Sequence, residues 1–355
     1  MDITDKPVKV RTDEGLDAKK IEEFLKDHAP EVGGKLHIEQ FPSGFSNLTY
    51  LIRAGSRDLV LRRPPFGTKA KTAHDMGREY RILSALHPIF PYCPKPIVYT
   101  EDESVIGCPF YIMERIPGII LRKDLPKGFT FTPEQARRLC ENILDLHCEL
   151  HSIDYVAAGL EDFGKPSGYV NRQVEGWSAR YRAATTDDAP DFERVMKWLH
   201  EKIPAETKRV AIIHNDYKLD NLVLSPKDPL KIIGILDWEM ATIGDPLMDL
   251  GSSLAYWVQQ DDSQNAQAAR MLPTNMPGML TRNELVDRYA EKSGISIDNF
   301  DFYLCFGIFR LAVIAQQIYY RFHHGHTKDE RFQTLIFVVH ILEENALEVI
   351  NHSIL

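Results

Sequence analysis

The sequence predicts an α+β protein of two lobes. The N-terminal lobe is small and built on an antiparallel sheet; the C-terminal lobe is large and mainly helical. Three observations carry this. Alternating apolar and polar stretches crowd the first third of the chain: HIEQF (37–41), LTYLIRA (48–54) and LVLRR (59–63). Helical periodicity takes over after Gly118. Two short β-like runs, RVAIIH (209–214) and KIIGILD (231–237), interrupt the helical part. The division follows as an N-terminal lobe over 1–112, a joining segment over 113–118 and a C-terminal lobe over 119–355.

The strands come first. LTYLIRA puts Leu48, Tyr50 and Ile52 on one face, as a period of two requires. PSGFSN before it and GSRD after it are turns by composition, so the first three strands form a meander. In LVLRR, Val60 and Arg62 share one face. Arg63 points the other way, toward solvent or the loop, and Pro64 and Pro65 stop the strand. AHDMGREYRILSAL (73–86) carries Tyr80, Leu83 and Leu86 at helical spacing. PYCPKP (91–96) separates it from VYTED and from PFYIMERIPG (109–118).

The helices follow. Thr132 caps a helix with Pro133 at its first position and Leu139, Ile143, Leu146 and Leu150 as its apolar stripe. Further helices are expected over 170–184 and 191–202, and long amphipathic ones over most of 281–350. LIFVVHIL (335–342) reads as a buried helix, too short to span a membrane.

Composition bounds the function. Of 355 residues, 44% are hydrophobic and 26% charged, the profile of an ordinary globular chain. A net charge of −9 argues against a general nucleic-acid binder, which needs a basic surface. The start, MDITDKPVKVRTDEG, lacks the apolar core of a signal peptide, and no membrane partner is expected. Five cysteines without metal-site spacing fit a reduced, cytoplasmic protein.

The chemistry concentrates in HNDYKLDN (214–221), a His-x-Asp-x4-Asn pattern followed by a β-like run that ends in Asp237. These residue types suit phosphoryl transfer. The transferred group carries dense negative charge that a magnesium ion must bridge to the protein. Mg2+ takes hard oxygen ligands, and Asn221 and Asp237 offer an amide and a carboxylate oxygen. Asp216 is then free to accept a hydroxyl proton, and Lys218 can set a cation beside the moving phosphoryl.

At this point the chain resembles the aminoglycoside phosphotransferase and choline kinase-like branch of the protein-kinase-like fold. The resemblance implies ATP and Mg2+ as cofactors. PSGFSNLTY (42–50) is similar to the phosphate-covering loop, with the backbone N–H groups of Gly44, Phe45, Ser46 and Asn47 around phosphate oxygens. LVLR takes the place of the kinase strand that ends in lysine. Val60 would lie over the adenine, Arg62 would reach the phosphates, and Glu79 would hold Arg62. MERIPG (113–118) resembles the hinge, where the Glu114 carbonyl and the Ile116 N–H would read the adenine. Asp249 resembles the structural aspartate that braces the catalytic loop.

Only eleven residues separate Asp237 from Asp249, too few for a peptide platform, so a small-molecule hydroxyl is the expected acceptor. LRRPPFG, AHDMGREYRIL, YVNRQVEGWSARY (169–181), HNDYKLDN and LDWEMATIGDPLMDLG together resemble the kinase-like domain of acyl-CoA dehydrogenase family members ten and eleven. That implies a hydroxyacyl-CoA acceptor, with Arg172, Trp177 and Arg180 lining its site and arginines meeting CoA phosphates. Aminoglycoside, choline or sugar kinase activity and a non-catalytic nucleotide-binding scaffold stay open. His147 and His151, at i,i+4, have zinc spacing but no evident third ligand. HHGH (323–326) reads as a solvated turn. The tail helix packs on the core or on a second subunit, and the sequence leaves both open.

Overall fold

The structure is a computed structural model that describes residues 4–41, 47–66, 75–205, 210–327 and 329–355. It separates into two compact units. One comprises Met1–Ile120 with Asn221–Ala241, the other Leu121–Asp220 with Thr242–Leu355. Contact density thus groups 221–241 with the N-terminal residues, whereas the lobes expected from the sequence run contiguously along the chain.

The first unit holds a five-stranded antiparallel sheet. Its strands are β1 (Leu36–Gln40), β2 (Leu48–Ala54), β3 (Arg57–Arg63), β4 (Pro96–Thr100) and β5 (Phe110–Glu114), in the order β1-β2-β3-β5-β4. Gly55, at φ 61°, and Ser56 link β2 to β3 in a two-residue hairpin, which needs that left-handed conformation. One face of the sheet is covered by the helix Ala18–His28, whose Ile21, Phe24 and Leu25 pack with Tyr50, Leu59, Leu61 and Ile112. The sequence reading passed over this helix, although Asp17 caps it by accepting from the Lys19 N–H. The helix Met76–Leu86 belongs to the opposite face, the one that carries Val60 and Arg62. A hairpin of β7 (Leu222–Leu224) and β8 (Ile232–Ile235) completes the unit, bridged to Ile119 through Leu224.

Arg63 corrects an expectation. It is buried, because the face opposite Arg62 is itself covered. Its guanidinium lies 3.7 Å from the Phe66 ring centroid, and its Nε donates to the Pro64 carbonyl at 3.0 Å.

The second unit is helical around a two-stranded ribbon of β6 (Ala211–Ile213) and β9 (Thr242–Gly244). The helix Pro133–Ser152 starts on a full capping box between Thr132 and Gln135. Tyr169–Ala183 and Glu193–Glu201 follow close to their expected places. Phe300–His323 is apolar and long enough to cross a membrane by length and composition, yet 78% of its apolar window is buried inside the protein, as in a core helix. It crosses the helix Pro246–Leu254 at Gly251 and Gly307. A Cβ on Gly307 would lie 2.2 Å from the Gly251 carbonyl oxygen, so only glycine permits that approach. The last helix, Leu335–His352, buries one face only. Ile336, Val339 and Leu342 are covered while Phe337 is exposed, so LIFVVHIL is amphipathic rather than fully buried. None of the five cysteines is in a disulfide.

Candidate active site

Strand alternation delivers Arg62 to the face of the sheet that carries Val60. Val60 pairs with Leu51 and Met113, and Arg62 with Thr49 and Tyr111. Arg62 is 6% exposed. Its Nη1 donates to Glu79 Oε1 on the following helix, and its Nη2 donates to Asp237 Oδ1 at 2.9 Å. Glu239 Oε2 lies 3.6 Å from the same Nη2. Glu79 Oε1 also accepts the Trp238 backbone N–H at 3.1 Å, tying the helix to the segment after β8. Burial pushes the Glu79 carboxyl up, and Arg62 opposes that rise. Burial works against the charge on Arg62, but Glu79 and Asp237 outweigh it and hold the guanidinium firmly protonated. The pair is therefore structural in the unit.

Glu239 is a residue the sequence reading missed. It accepts a hydrogen bond from the Asn47 side-chain amide, so it joins the loop before β2 to the Arg62 cluster. The signal was present as a second acid two positions after Asp237. Of the expected phosphate-loop residues, Asn47 is described and buried, while Gly44, Phe45 and Ser46 lie outside the described residues.

Asn221 and Asp237 both belong to the first unit, and the Leu236 N–H donates to the Asn221 carbonyl at 2.8 Å. Asp237 has a left-handed backbone, φ 66°, which turns the chain as β8 ends. About a third of its side chain is exposed (34%), which leaves the carboxylate within reach of an ion. An amide oxygen and a carboxylate are hard donors that fit Mg2+.

At the hinge position, Arg115 N–H is spent on the Asp58 carbonyl and Glu114 N–H on that of Lys95. The Ile116 N–H has no hydrogen-bond partner among the described residues.

Residues 214–220 of the expected catalytic loop lie in the second unit. Asp249, fully buried, accepts the backbone N–H of His214 on Oδ2 at 2.7 Å and that of Asn215 on Oδ1 at 2.6 Å. His147 Nε2 and His151 Nε2 each lie 3.1 Å from Oδ2. Burial alone would raise the Asp249 carboxyl, but the two histidine hydrogen bonds overcome it and hold the group well below the usual carboxylate range. The ionised carboxylate only accepts, so both histidines donate from Nε2. His151 Nδ1 also lies in hydrogen-bond range of the Tyr289 hydroxyl, at 2.7 Å. The i,i+4 histidines thus brace the loop brace itself, a role their spacing alone did not reveal. The loop continues with the Asp216 N–H donating to His214 Nδ1 at 3.2 Å. Lys218 Nζ lies 3.4 Å from Asp216 Oδ2 and 3.5 Å from Asp220 Oδ1, so the loop cation is paired with the expected base. Behind Tyr217 and Leu219 is an apolar cavity of about 30 Å³, too small for any acceptor but a water-sized group.

Of the residues suggested for the acceptor, Arg172 is spent on the carbonyls of Lys165 and Ser167. Trp177 is buried, and its Nε1 donates to Gln173 Oε1 at 3.1 Å. In HHGH, His323 ends the helix Phe300–His323 with its Nε2 3.4 Å from Asp187 Oδ1, and His324 and His326 are exposed in the turn that follows.

Comparison with known proteins decides the family. A model of the phosphotransferase enzyme family matches residues 37–279. The chain belongs to that family. Acyl-CoA dehydrogenase family member 10 of Mus musculus is 38% identical over 290 residues, 81% of this chain and 27% of that protein. Family member 11 of Rattus norvegicus is 32% identical over 357 residues, 98% of this chain and 45% of that protein. The chain therefore spans less than half the length of these relatives. Among solved structures, a candidate aminoglycoside phosphotransferase from Ralstonia eutropha is 30% identical with a TM-score of 0.79, over 94% of this chain and 98% of that one. Choline kinase from Cryptosporidium parvum shares the fold, at 13% identity and a TM-score of 0.61, over 94% of this chain and 97% of that one. The protein-kinase-like architecture read from the sequence is thereby shown, and membership of the phosphotransferase enzyme family supports a small-molecule phosphotransferase.

Proposed function

We propose that the chain transfers the γ-phosphoryl of ATP, with Mg2+, to a hydroxyl of a small molecule, and that the acceptor is a metabolite of the hydroxyacyl-CoA type. The observation that carries this is the brace at Asp249, which fixes the backbone of His214 and Asn215 and so presents Asp216 on a held loop. Asp216 would take the hydroxyl proton as the acceptor oxygen bonds to the γ-phosphorus. The bond to the β,γ-bridging oxygen breaks, and ADP leaves with that electron pair. Lys218 would stabilise the charge on the moving group. Asn221 and Asp237 would hold Mg2+, which when bound neutralises phosphate charge. Arg62 would meet the phosphates, with Glu79 holding it, Val60 against the adenine, and Glu114 and Ile116 reading its edge. The loop residues Gly44, Phe45, Ser46 and Asn47 complete the proposed nucleotide site. The acyl-CoA class rests on the likeness to family members 10 and 11.

One observation favours a second reading, a nucleotide-binding scaffold without turnover. Arg62 already sits on Asp237, the carboxylate proposed for Mg2+. A screen with ATP and Mg2+ against 3- and 4-hydroxyacyl-CoAs, aminoglycosides, choline and hexoses separates the two. A phosphorylated product detected by mass supports transfer. ATP binding with no product in any arm supports the scaffold.

A further inference from the structure

Arg310 is a buried cation without a counter-charge. It lies within the apolar helix Phe300–His323, between Phe309 and Leu311, and is 4% exposed. Among the described residues it has no carboxylate in salt-bridge range and no hydrogen-bond partner. Its contact is with Trp177, whose ring centroid is 5.1 Å from the guanidinium carbon. Arg180, exposed on the helix Tyr169–Ala183, places a second guanidinium 4.7 Å from the same ring. A cation over an indole recovers part of the hydration lost on burial, not all of it. Two guanidinium groups on one indole also repel each other. An apolar residue at 310 would serve the packing of this helix without either penalty.

The setting is the catalytic loop. Tyr256 has its phenol pushed up to about 12 by burial and by Asp216, with Lys218 and Arg310 opposing. Tyr169 is likewise raised by burial and opposed by Arg310, and its hydroxyl lies 3.5 Å from Asn215 Oδ1. The neighbouring acids are already committed. Asp249 holds the loop and both histidines, and Asp245 caps the helix Pro246–Leu254 through the Leu247 N–H.

We infer that Arg310, Trp177 and Arg180 form the recognition site for an oxyanion carried by the phosphoryl acceptor, a phosphate or a carboxylate separate from the hydroxyl that reacts. This rests on the phosphotransferase reading above. A guanidinium fork matches either group, and the same two charges repel a polycationic acceptor.

The test is isothermal titration of the intact protein, without nucleotide, using coenzyme A, 3-hydroxybutyrate and pantetheine as probes. At least one anionic probe should bind, with pantetheine tenfold or more weaker. Coenzyme A alone assigns the site to phosphate, 3-hydroxybutyrate alone to carboxylate. Arg310→Met should weaken the anionic probe tenfold or more, Arg310→Lys should recover part of the loss, and Arg180→Gln should weaken it a few-fold. If Arg310→Met does not fold, Arg310→Lys and Arg180→Gln decide. The inference is overturned if neither anionic probe binds, if pantetheine matches them, or if the deciding variants bind like the parent. Transfer from ATP is scored separately on the unaltered protein. Arg310-dependent anion binding without transfer overturns the phosphotransferase reading alone, and transfer without such binding overturns this inference alone.

Discussion

Arg62 bridges Glu79 and Asp237, donating to the first from Nη1 and to the second from Nη2 at 2.9 Å. One guanidinium therefore joins the helix that backs the sheet to the carboxylate proposed for Mg2+. Lysine, a single point charge, cannot span both partners with a fixed fork.

Removing Arg62 should expose that dependence. Arg62→Ala leaves the Glu79 carboxylate buried without its cation, which costs about 3–5 kcal/mol. Thermal denaturation should report the loss, and ATP titration should show weaker binding. Unchanged melting and unchanged ATP affinity together would remove Arg62 from both roles. Arg62→Lys should fall between the two proteins in each measurement.

Asp249 supports the second prediction. Asp249→Ala orphans two backbone N–H groups and two imidazole donors at a buried site, at a cost of several kcal/mol. Asp249→Asn keeps the shape but must turn an amide N–H toward at least one donor. In any phosphoryl-transfer assay it should lower kcat more than it raises the KM for ATP, because it loosens the loop and leaves the nucleotide residues in place. A KM effect alone would contradict a bracing role.

The histidine pair gives a pH dependence with a definite sign. His147 is held at about 4, below its ordinary 6.5, because burial and neighbouring His151 disfavour its charged form despite Asp249. Below 6.5 the unfolded chain gains a proton that the folded chain refuses, so stability falls as the pH drops from 6.5 to 4. The loss over that window is about 3 kcal/mol. The depressed Asp249 acts in the same direction, its contribution being lost as the pH falls toward its folded-state value. His147→Gln retains an amide donor for Asp249 and should flatten the slope of denaturant-derived stability between pH 6.5 and 4. An unaltered slope would place the proton elsewhere.

The helix crossing offers a check on packing alone. Gly307→Ala sets a methyl 2.2 Å from the Gly251 carbonyl oxygen, so the two helices must part. The cost of about 1–3 kcal/mol outweighs the gain in helix propensity of just under about 1 kcal/mol. A melting temperature at or above that of the parent would mean that the crossing tolerates a Cβ.

Much of this was legible because local chemistry agreed with tertiary demand. LTYLIRA alternates and forms β2 over the same seven residues, Leu48–Ala54. Thr132, Pro133 and Gln135 start a helix by capping chemistry that needs no distant partner. Asp216, Asn221 and Asp237 stood out by spacing. What failed to show depended on distant partners. Alternation gave the face of Arg63, but the covering of that face comes from elsewhere in the unit, so its burial was unreadable. His147 and His151 announced a pair, yet the carboxylate that gives them a role lies about a hundred residues away. Glu239 reaches Arg62 and Asn47 only after the left-handed turn at Asp237. Arg310 drew no notice in the sequence, because its burial against Trp177 depends on a helix more than a hundred residues away.

The central claim is that Asp216 serves as the base for transfer from ATP to a hydroxyl. The most direct measurement is mass detection of phosphorylated product from hydroxyacyl-CoA with ATP and Mg2+, for the parent protein and Asp216→Asn side by side. The account predicts product from the parent and at least a hundredfold less from Asp216→Asn, in line with the loss of a general base. Equal product from both proteins, or none from the parent with any hydroxyl acceptor, would contradict it.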